Sequence, residues 1–249
     1  MFSKFFKTLG SIILMLKAAF TKPENGKQYW KQFMTECTSI GVGSFPIVAV
    51  ISVFLGMVMT IQTSYQLVSP LVPKTIIAGV VRDSVILELS PTVICIVLAG
   101  VVGSRIASEL GNMRVSEQID AFEIMGINTK AYLILPKVVA AVIMVPVLIL
   151  ISISLSLIGG VIAGILADIL PTDVYISGLI NGFQGYTIAV AVVKAIAFAL
   201  SISLISCYNG YFVRGGSVEI GRASTRAVVI SCIAILAFDY VITSLMLSK

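Results

Sequence analysis

Thirty consecutive residues, Val138 to Ala167, carry no charge, and that run restricts the fold more than any other feature of the chain. A helix rises about 1.5 Å per residue, so about 20 apolar residues cross the ~30 Å hydrocarbon core of a bilayer. The run can span with tilt or with a bend at Pro146. Cys37 to Pro73 is also uncharged, and its centre, residues 42–66, reads as a first span. Residues 89–104 are uncharged for only 16 positions, so that helix must continue into polar flanks at both ends. Residues 131–167, 186–209 and 226–247 complete a set of five. Of the 249 residues, 58% are hydrophobic and 12% charged, about half the ~25% charge of soluble domains. The expectation is an all-α integral membrane protein with five transmembrane helices in a single domain over residues 1–249.

Residues 1–40 read as interfacial elements. Phe2, Phe5, Phe6, Leu9, Ile12, Ile13, Leu16 and Phe20 recur at helical spacing, with Lys4, Lys7, Ser11 and Lys17 on much of the remaining surface. That is the pattern of an amphipathic helix lying in the membrane interface. A signal peptide is the rival reading, and Lys17 shortens the apolar core it would need. Pro23, Asn25 and Gly26 then break the helix. Tyr29 and Trp30, beside Lys27 and Lys31, suit a return at headgroup level. Within the third span, Ser156, Gly160 and Gly164 form a row of small residues that admits another helix closely, within the chain in preference to a dimer seam.

The segment 105–130 interrupts this apolar pattern. Glu109, Arg114, Glu117, Asp120, Glu123 and Lys130 fall inside Glu109–Pro136, with Arg105 and Lys137 as flanks. No lipid accommodates such a stretch, so it lies in water or against another protein. Ser116 is expected to cap a short helix from Glu117 to Met125, and Gly126 supplies a left-handed stop. Ile119, Phe122 and Met125 share one face, with the acids largely elsewhere; nine residues are too few to span. Basic residues favour cytoplasmic loops. Placing the N terminus inside puts 13 of them on the inner side and leaves only Lys74, Arg82 and Lys249 outside. The short helix between spans 2 and 3 is then cytoplasmic and the C terminus is periplasmic.

Several function classes find no residues to support them. The net charge of +5 is scattered over short loops, which argues for topology and anionic lipid rather than nucleic acid. Histidine is absent, and Cys37, Cys95, Cys207 and Cys232 lie far apart without a CxxC, so no metal or other cofactor is expected. Neither GxxxxGK[ST] nor GxSxG occurs, which leaves no catalytic residues to name and places any ATP hydrolysis in a partner. Lys194 and Asp239 sit inside the last two spans, each about 10 to 12 Å from the outer end. Buried charge in a membrane is costly unless paired, so the two are expected to form an ion pair joining those helices. An ion-coupled secondary transporter using Lys194 and Asp239 is the alternative function.

ELGNMRVSEQIDAFEIMGIN followed by LILPKVVA resembles the signature of the MlaE/YrbE permeases, the membrane subunits of ABC systems that move lipids between bacterial membranes. FLGMVMTIQ, LELSP, AGVVGSRIASELG, SCYNGYFV and GRASTRAVV extend the resemblance over most of the chain. It implies a multi-pass subunit of the bacterial inner (cytoplasmic) membrane, acting as a homodimer within a larger complex with an ABC ATPase subunit, an MCE-domain protein and a phospholipid-like substrate. The ATPase-coupling residues it implies are Glu109, Arg114, Glu117, Asp120, Phe122, Glu123 and Gly126, on a cytoplasmic coupling helix. The lipid-facing positions it implies are Met59, Gln62, Gln66, Leu67, Val68, Leu71, Leu87 and Glu88. One departure stands out: the family often has Arg-Glu before Leu-Gly-Pro, whereas Leu87-Glu88-Leu89-Ser90-Pro91 stands here. The basic residue is missing, and Arg82 is the substitute within reach.

Overall fold

The computed structural model describes residues 10–12, 14–16, 26–67, 73–168 and 170–247. It contains helices α1 (Gly26–Gln66), α2 (Thr75–Val115), α3 (Gln118–Ile124), α4 (Lys130–Leu166), α5 (Thr172–Ile180), α6 (Tyr186–Tyr211) and α7 (Ser217–Leu247), with no strand among the described residues. Residues 10–12 and 14–16 are also helical; the rest of the expected N-terminal interfacial helix lies outside the described residues, as do Val68 and Leu71. Helices α1, α2, α4, α6 and α7 are long and apolar enough to cross a membrane.

Three of these helices overrun the spans expected from charge. α1 begins at Gly26 rather than 42, α2 begins at Thr75 and ends at Val115 around the expected 89–104, and α7 begins at Ser217 rather than 226. Charge marks where a helix leaves hydrocarbon, not where its hydrogen bonds stop. At 41 residues, α1 and α2 are each about 60 Å long, twice the hydrocarbon thickness. α2 widens into π-turns at Val85–Val93 and Ala99–Gly103, and α4 opens with one at Lys130–Ile134. Pro91 lies in the first of these turns. It has no N–H for the carbonyl four residues back, that of Leu87, so the regular ladder cannot continue there.

Contacts divide the chain into two compact units. One comprises Met1–Ser44, Leu98–Val145 and Ile196–Phe238, the other Phe45–Val97, Pro146–Ala195 and Asp239–Lys249. In the first unit, small residues set the helix spacing of α2 and α6, since a Cβ on Gly210 would lie 2.6 Å from the Ala107 carbonyl oxygen. Ser108 and Ser224 hydroxyls meet at 2.8 Å, and Arg105 donates to the Ser39 carbonyl at 2.8 Å.

In the second unit, Ser52, Gly56 and Thr60 of α1 face Ser152, Ser156 and Gly160 of α4. Ser52 Oγ donates to Ser152 Oγ at 2.8 Å and Ser156 Oγ to the Ser52 carbonyl at 2.9 Å. A Cβ on Gly56 would overlap the Ser156 carbonyl, and one on Gly159 would overlap that of Val53. The small-residue row of the third span therefore packs within the chain. Lipid tails are as apolar as leucine, so close backbone approach and hydrogen bonds, not hydrophobic burial, hold helices together in a bilayer. Tyr175 on α5, 1% exposed, completes the seam. Thr60 gives its own hydrogen to the Gly56 carbonyl at 3.0 Å, so Tyr175 is the donor to Thr60 at 3.4 Å. Burial pushes the Tyr175 phenol above its ordinary range, which keeps that donor protonated.

Gly56→Leu should strongly reduce assembled protein, because overpacking against a backbone costs about 3 kcal/mol or more. Gly100→Ala, where a Cβ meets nothing within 4 Å, should leave it unchanged. Yield and thermal stability of detergent-purified protein measure both.

Candidate functional site

Two buried ammonium groups organise the polar interior. In the second unit, Lys194 of α6 has 0% exposure and needs partners in a span where water is scarce. Its Nζ donates to Glu88 Oε1 at 2.9 Å and to the Leu87 carbonyl at 2.8 Å. Leu87 lies in the same π-turn as Pro91, and its carbonyl accepts the lysine there. Asp239 Oδ1 of α7 lies 2.8 Å from the same Nζ, a close ion contact without hydrogen-bond alignment. Thr243 adds a 3.4 Å hydrogen bond to Glu88. The cluster has one cation and two carboxylates, and the Glu88 side chain is 45% exposed.

In the first unit, Lys137 of α4, also 0% exposed, donates to Glu36 Oε1 of α1 at 2.5 Å and to Glu109 Oε2 of α2 at 2.7 Å. Glu109 and Lys137 bracket the polar segment, so this pair closes its neck while Glu36 fastens the neck to α1. Glu36 carries no local sequence signal for this role, since it stands 101 positions from Lys137.

Beyond that neck lies α3. It is shorter than the expected 117–125, and its entry differs. Ser116 Oγ donates to the Asn112 carbonyl at 2.7 Å, closing the end of α2 instead of capping α3. Glu117 takes φ +58° to reverse the chain, a conformation that a two-residue link between helices imposes. Gly126, at φ +81°, ends the helix; its N–H bonds to Glu123 and that of Ile127 bonds to Phe122, both at 3.0 Å. This is the paired-bond arrangement that satisfies the last carbonyls.

The acids of this segment are largely spent inside the chain. Asp120 pairs with Arg114 at 2.6 Å. Glu123 accepts from Tyr211 at 2.9 Å and Thr129 at 3.2 Å. Ile119 is fully buried, and the Phe122 ring packs edge-on to Tyr132 with centroids 5.9 Å apart. Its exposed large hydrophobic side chains are Ile124, 87% exposed, and Met125, 63% exposed, beside exposed Glu117, Gln118, Ala121 and Glu123.

Of the expected lipid-facing positions, Met59, Gln62, Gln66, Leu67, Leu87 and Glu88 all belong to the second unit. Gln62 and Gln66 are exposed and Met59 is half-buried, at helical spacings that share a face. Leu67 is partly buried, with one side on the small core of Ile77, Ala78, Leu170 and Tyr175. Arg82 is 4% exposed and commits its guanidinium to Asp83 and to the carbonyls of Leu179, Asn181 and Gly182. Its five N–H groups are thereby used, and none is left to replace the absent basic residue at Leu87.

A family model described as Permease MlaE matches residues 33–245. The chain belongs to the MlaE permease family. A "Probable ABC transporter permease protein" of Rickettsia bellii is 36% identical over 239 residues, covering 96% of this chain and 92% of that protein. "Protein TRIGALACTOSYLDIACYLGLYCEROL 1, chloroplastic" of Arabidopsis thaliana is 31% identical over 219 residues, covering 88% and 62%. "Intermembrane phospholipid transport system permease protein MlaE" of Haemophilus influenzae is 29% identical over 243 residues, covering 97% and 93%. Together with the five long apolar helices, membership makes this permease a multi-pass membrane protein.

Lys194→Met alone should destabilise the permease by on the order of 3 kcal/mol, the lower end for a broken buried pair because Glu88 is partly exposed. Lys194→Met with Asp239→Leu should recover only part of this, since Glu88 still lacks its cation. Adding Glu88→Gln should recover most of it. Thermal unfolding of the three variants checks the order.

Proposed function

We propose that this permease is the membrane subunit of an ABC transporter that moves a phospholipid between membranes, driven by a separate ATPase subunit. The observation that carries this reading is the family match across residues 33–245, which takes in α3 and the spans on either side of it. The phospholipid named for the Haemophilus influenzae relative supports the substrate class. Family membership favours this reading over an ion-gated transporter built on Lys194 and Asp239. Two copies of the chain, an MCE-domain protein and the ATPase make up the complex, in the bacterial inner membrane. The 13-to-3 distribution of basic residues supports a cytoplasmic N terminus and a periplasmic C terminus.

In this mechanism the ATPase grips α3 at its apolar tip. Ile124 and Met125 are free to dock, whereas Asp120 and Glu123 are held by Arg114 and Tyr211. Closure of the ATPase pair displaces α3, and the Lys137 clamp passes the displacement to α1, α2 and α4 together through Glu36 and Glu109. The lipid is taken up along Met59, Gln62, Gln66, Leu67, Val68, Leu71, Leu87 and Glu88, and the spans reshape that pocket once per ATPase cycle. Proton or ion transfer through Lys194 is not required.

Purification through a tag on this chain, followed by lipid transfer between proteoliposomes, tests the proposal. The ATPase should co-purify, and transfer should require ATP; transfer driven by an ion gradient with no ATPase present would overturn the reading. Ile124→Asp with Met125→Asp should lower ATPase retention at least about tenfold, as expected when a docking anchor is charged. Glu117→Lys should change it by less than about threefold. The opposite ranking would place the contact on the acidic side.

A further inference from the structure

The mechanism above passes the displacement of α3 to α1, α2 and α4 through Lys137 and assigns nothing to α6. α6 ends on Tyr211, which is 4% exposed. Its neighbour Gly210 presses the α6 backbone onto α2, since a Cβ there would lie 2.6 Å from the Ala107 carbonyl oxygen. Backbone packed this closely leaves Tyr211 little freedom to shift. Tyr211, α3 and the residues that join them all belong to the first unit.

The phenol is a three-way junction. Tyr211 Oη donates to Glu123 Oε1 of α3 at 2.9 Å and lies 2.8 Å from Thr129 Oγ1, at the entry to α4. Thr129, 2% exposed, reaches the same Glu123 oxygen at 3.2 Å. Two hydroxyls bring two hydrogens to these three contacts, and an ionised carboxylate only accepts. With the phenol hydrogen on Glu123, the Thr129 hydrogen goes to the phenol oxygen or to the same carboxylate. The tyrosine ring also meets Arg114, whose guanidinium carbon is 6.0 Å from its centroid, at the limit of cation–π contact. Arg114 in turn holds Asp120 at 2.6 Å. Both acids that tie down α3 therefore bear on one tyrosine, and the second of them is next to the exposed Ile124.

We infer that Tyr211 is a positioning residue for energy coupling: it fixes the pose in which α3 presents Ile124 and Met125, and it carries the displacement of α3 to α6. The coupling role rests on the proposed ATP-driven transport, whereas the hold on α3 does not. Removing the phenol oxygen takes α6 out of the junction and leaves Thr129 on Glu123. α3 then stays attached to α4, and α6 no longer follows it. Removing the Thr129 hydroxyl does the reverse and keeps α6 attached.

Two measurements on the complex purified through this chain test the inference. The first is hydrogen exchange at the Met125, Gly126 and Ile127 amides, which close the end of α3. Tyr211→Phe should speed their exchange about fivefold, as expected for the loss of one hydrogen bond to a charged acceptor, while the α6 amides stay protected. The second is the amount of lipid moved per ATP hydrolysed in proteoliposomes. Tyr211→Phe should lower that ratio at least about fivefold with the ATPase still bound and ATP still hydrolysed. Thr129→Val should change it by less than about twofold, and Glu123→Gln, which keeps an acceptor oxygen for the phenol, should retain most of it. If Tyr211→Phe also exposes the α6 amides, Glu123→Leu takes its place with the same expected losses, since it breaks the junction from the α3 side and leaves Tyr211 on Thr129. Unchanged exchange at the end of α3 overturns the hold. An unchanged ratio, or an equal fall in Thr129→Val, overturns the coupling role. Wild-type transfer without ATP would overturn the transport reading and the coupling role with it, and the exchange result would still decide whether Tyr211 holds α3.

Discussion

Two ammonium groups without exposed surface, Lys137 and Lys194, each bind carboxylates from two other helices, and each compact unit contains one of them. In a hydrocarbon medium the apolar surface of a helix gains little by burial against another helix. Polar groups, by contrast, are held strictly to their partners, because an unpaired charge there costs several kcal/mol. The lysines therefore specify which helices adjoin: α1, α2 and α4 around Lys137, and α2, α6 and α7 around Lys194. The small-residue seams then fix how closely they approach. Ser52, Gly56 and Thr60 against Ser152, Ser156 and Gly160 give van der Waals and hydroxyl contacts that larger side chains would prevent.

The five spans were legible in the sequence because length and absence of charge are properties of single segments. The stop of α3 at Gly126 was legible for the same reason, since a left-handed glycine after an apolar run is a local signal. The beginning of α2 was not. Arg82 and Asp83 look like a polar connection until Arg82 finds carbonyls at 179, 181 and 182, nearly a hundred residues onward. Ser116 misled for a related reason. A hydroxyl beside a helix start can serve either the helix that follows or the one that precedes, and here it joins its own N–H on the Asn112 carbonyl of the preceding helix.

The charged positions show the same division. Lys194 and Asp239 were each visible as intramembrane charges, and their depths brought them to one level, but Glu88 stood at the edge of a span and gave no reason to join them. Pro91 was the available clue. A proline inside a span breaks the regular ladder and marks irregular backbone, and the Leu87 carbonyl in that turn is where the buried lysine of a neighbouring helix donates. Glu36 and Lys137 offered no such clue, because each sits near a span boundary where charge is unremarkable.

The substitution of a leucine at position 87 is best understood through the backbone. What position 87 contributes to the Lys194 cluster is its carbonyl, which any residue supplies, so the cluster survives the loss of a basic side chain. Arg82 does not restore the missing charge, because its guanidinium is consumed by Asp83 and three carbonyls. Among the members of the cluster, Lys194 is fully enclosed and Asp239 is 17% exposed, while Glu88 retains 45% of its side-chain surface. The charged group that this end of α2 presents to anything bound beside it is therefore a carboxylate, held on one side by Lys194 and Thr243 and open on the other.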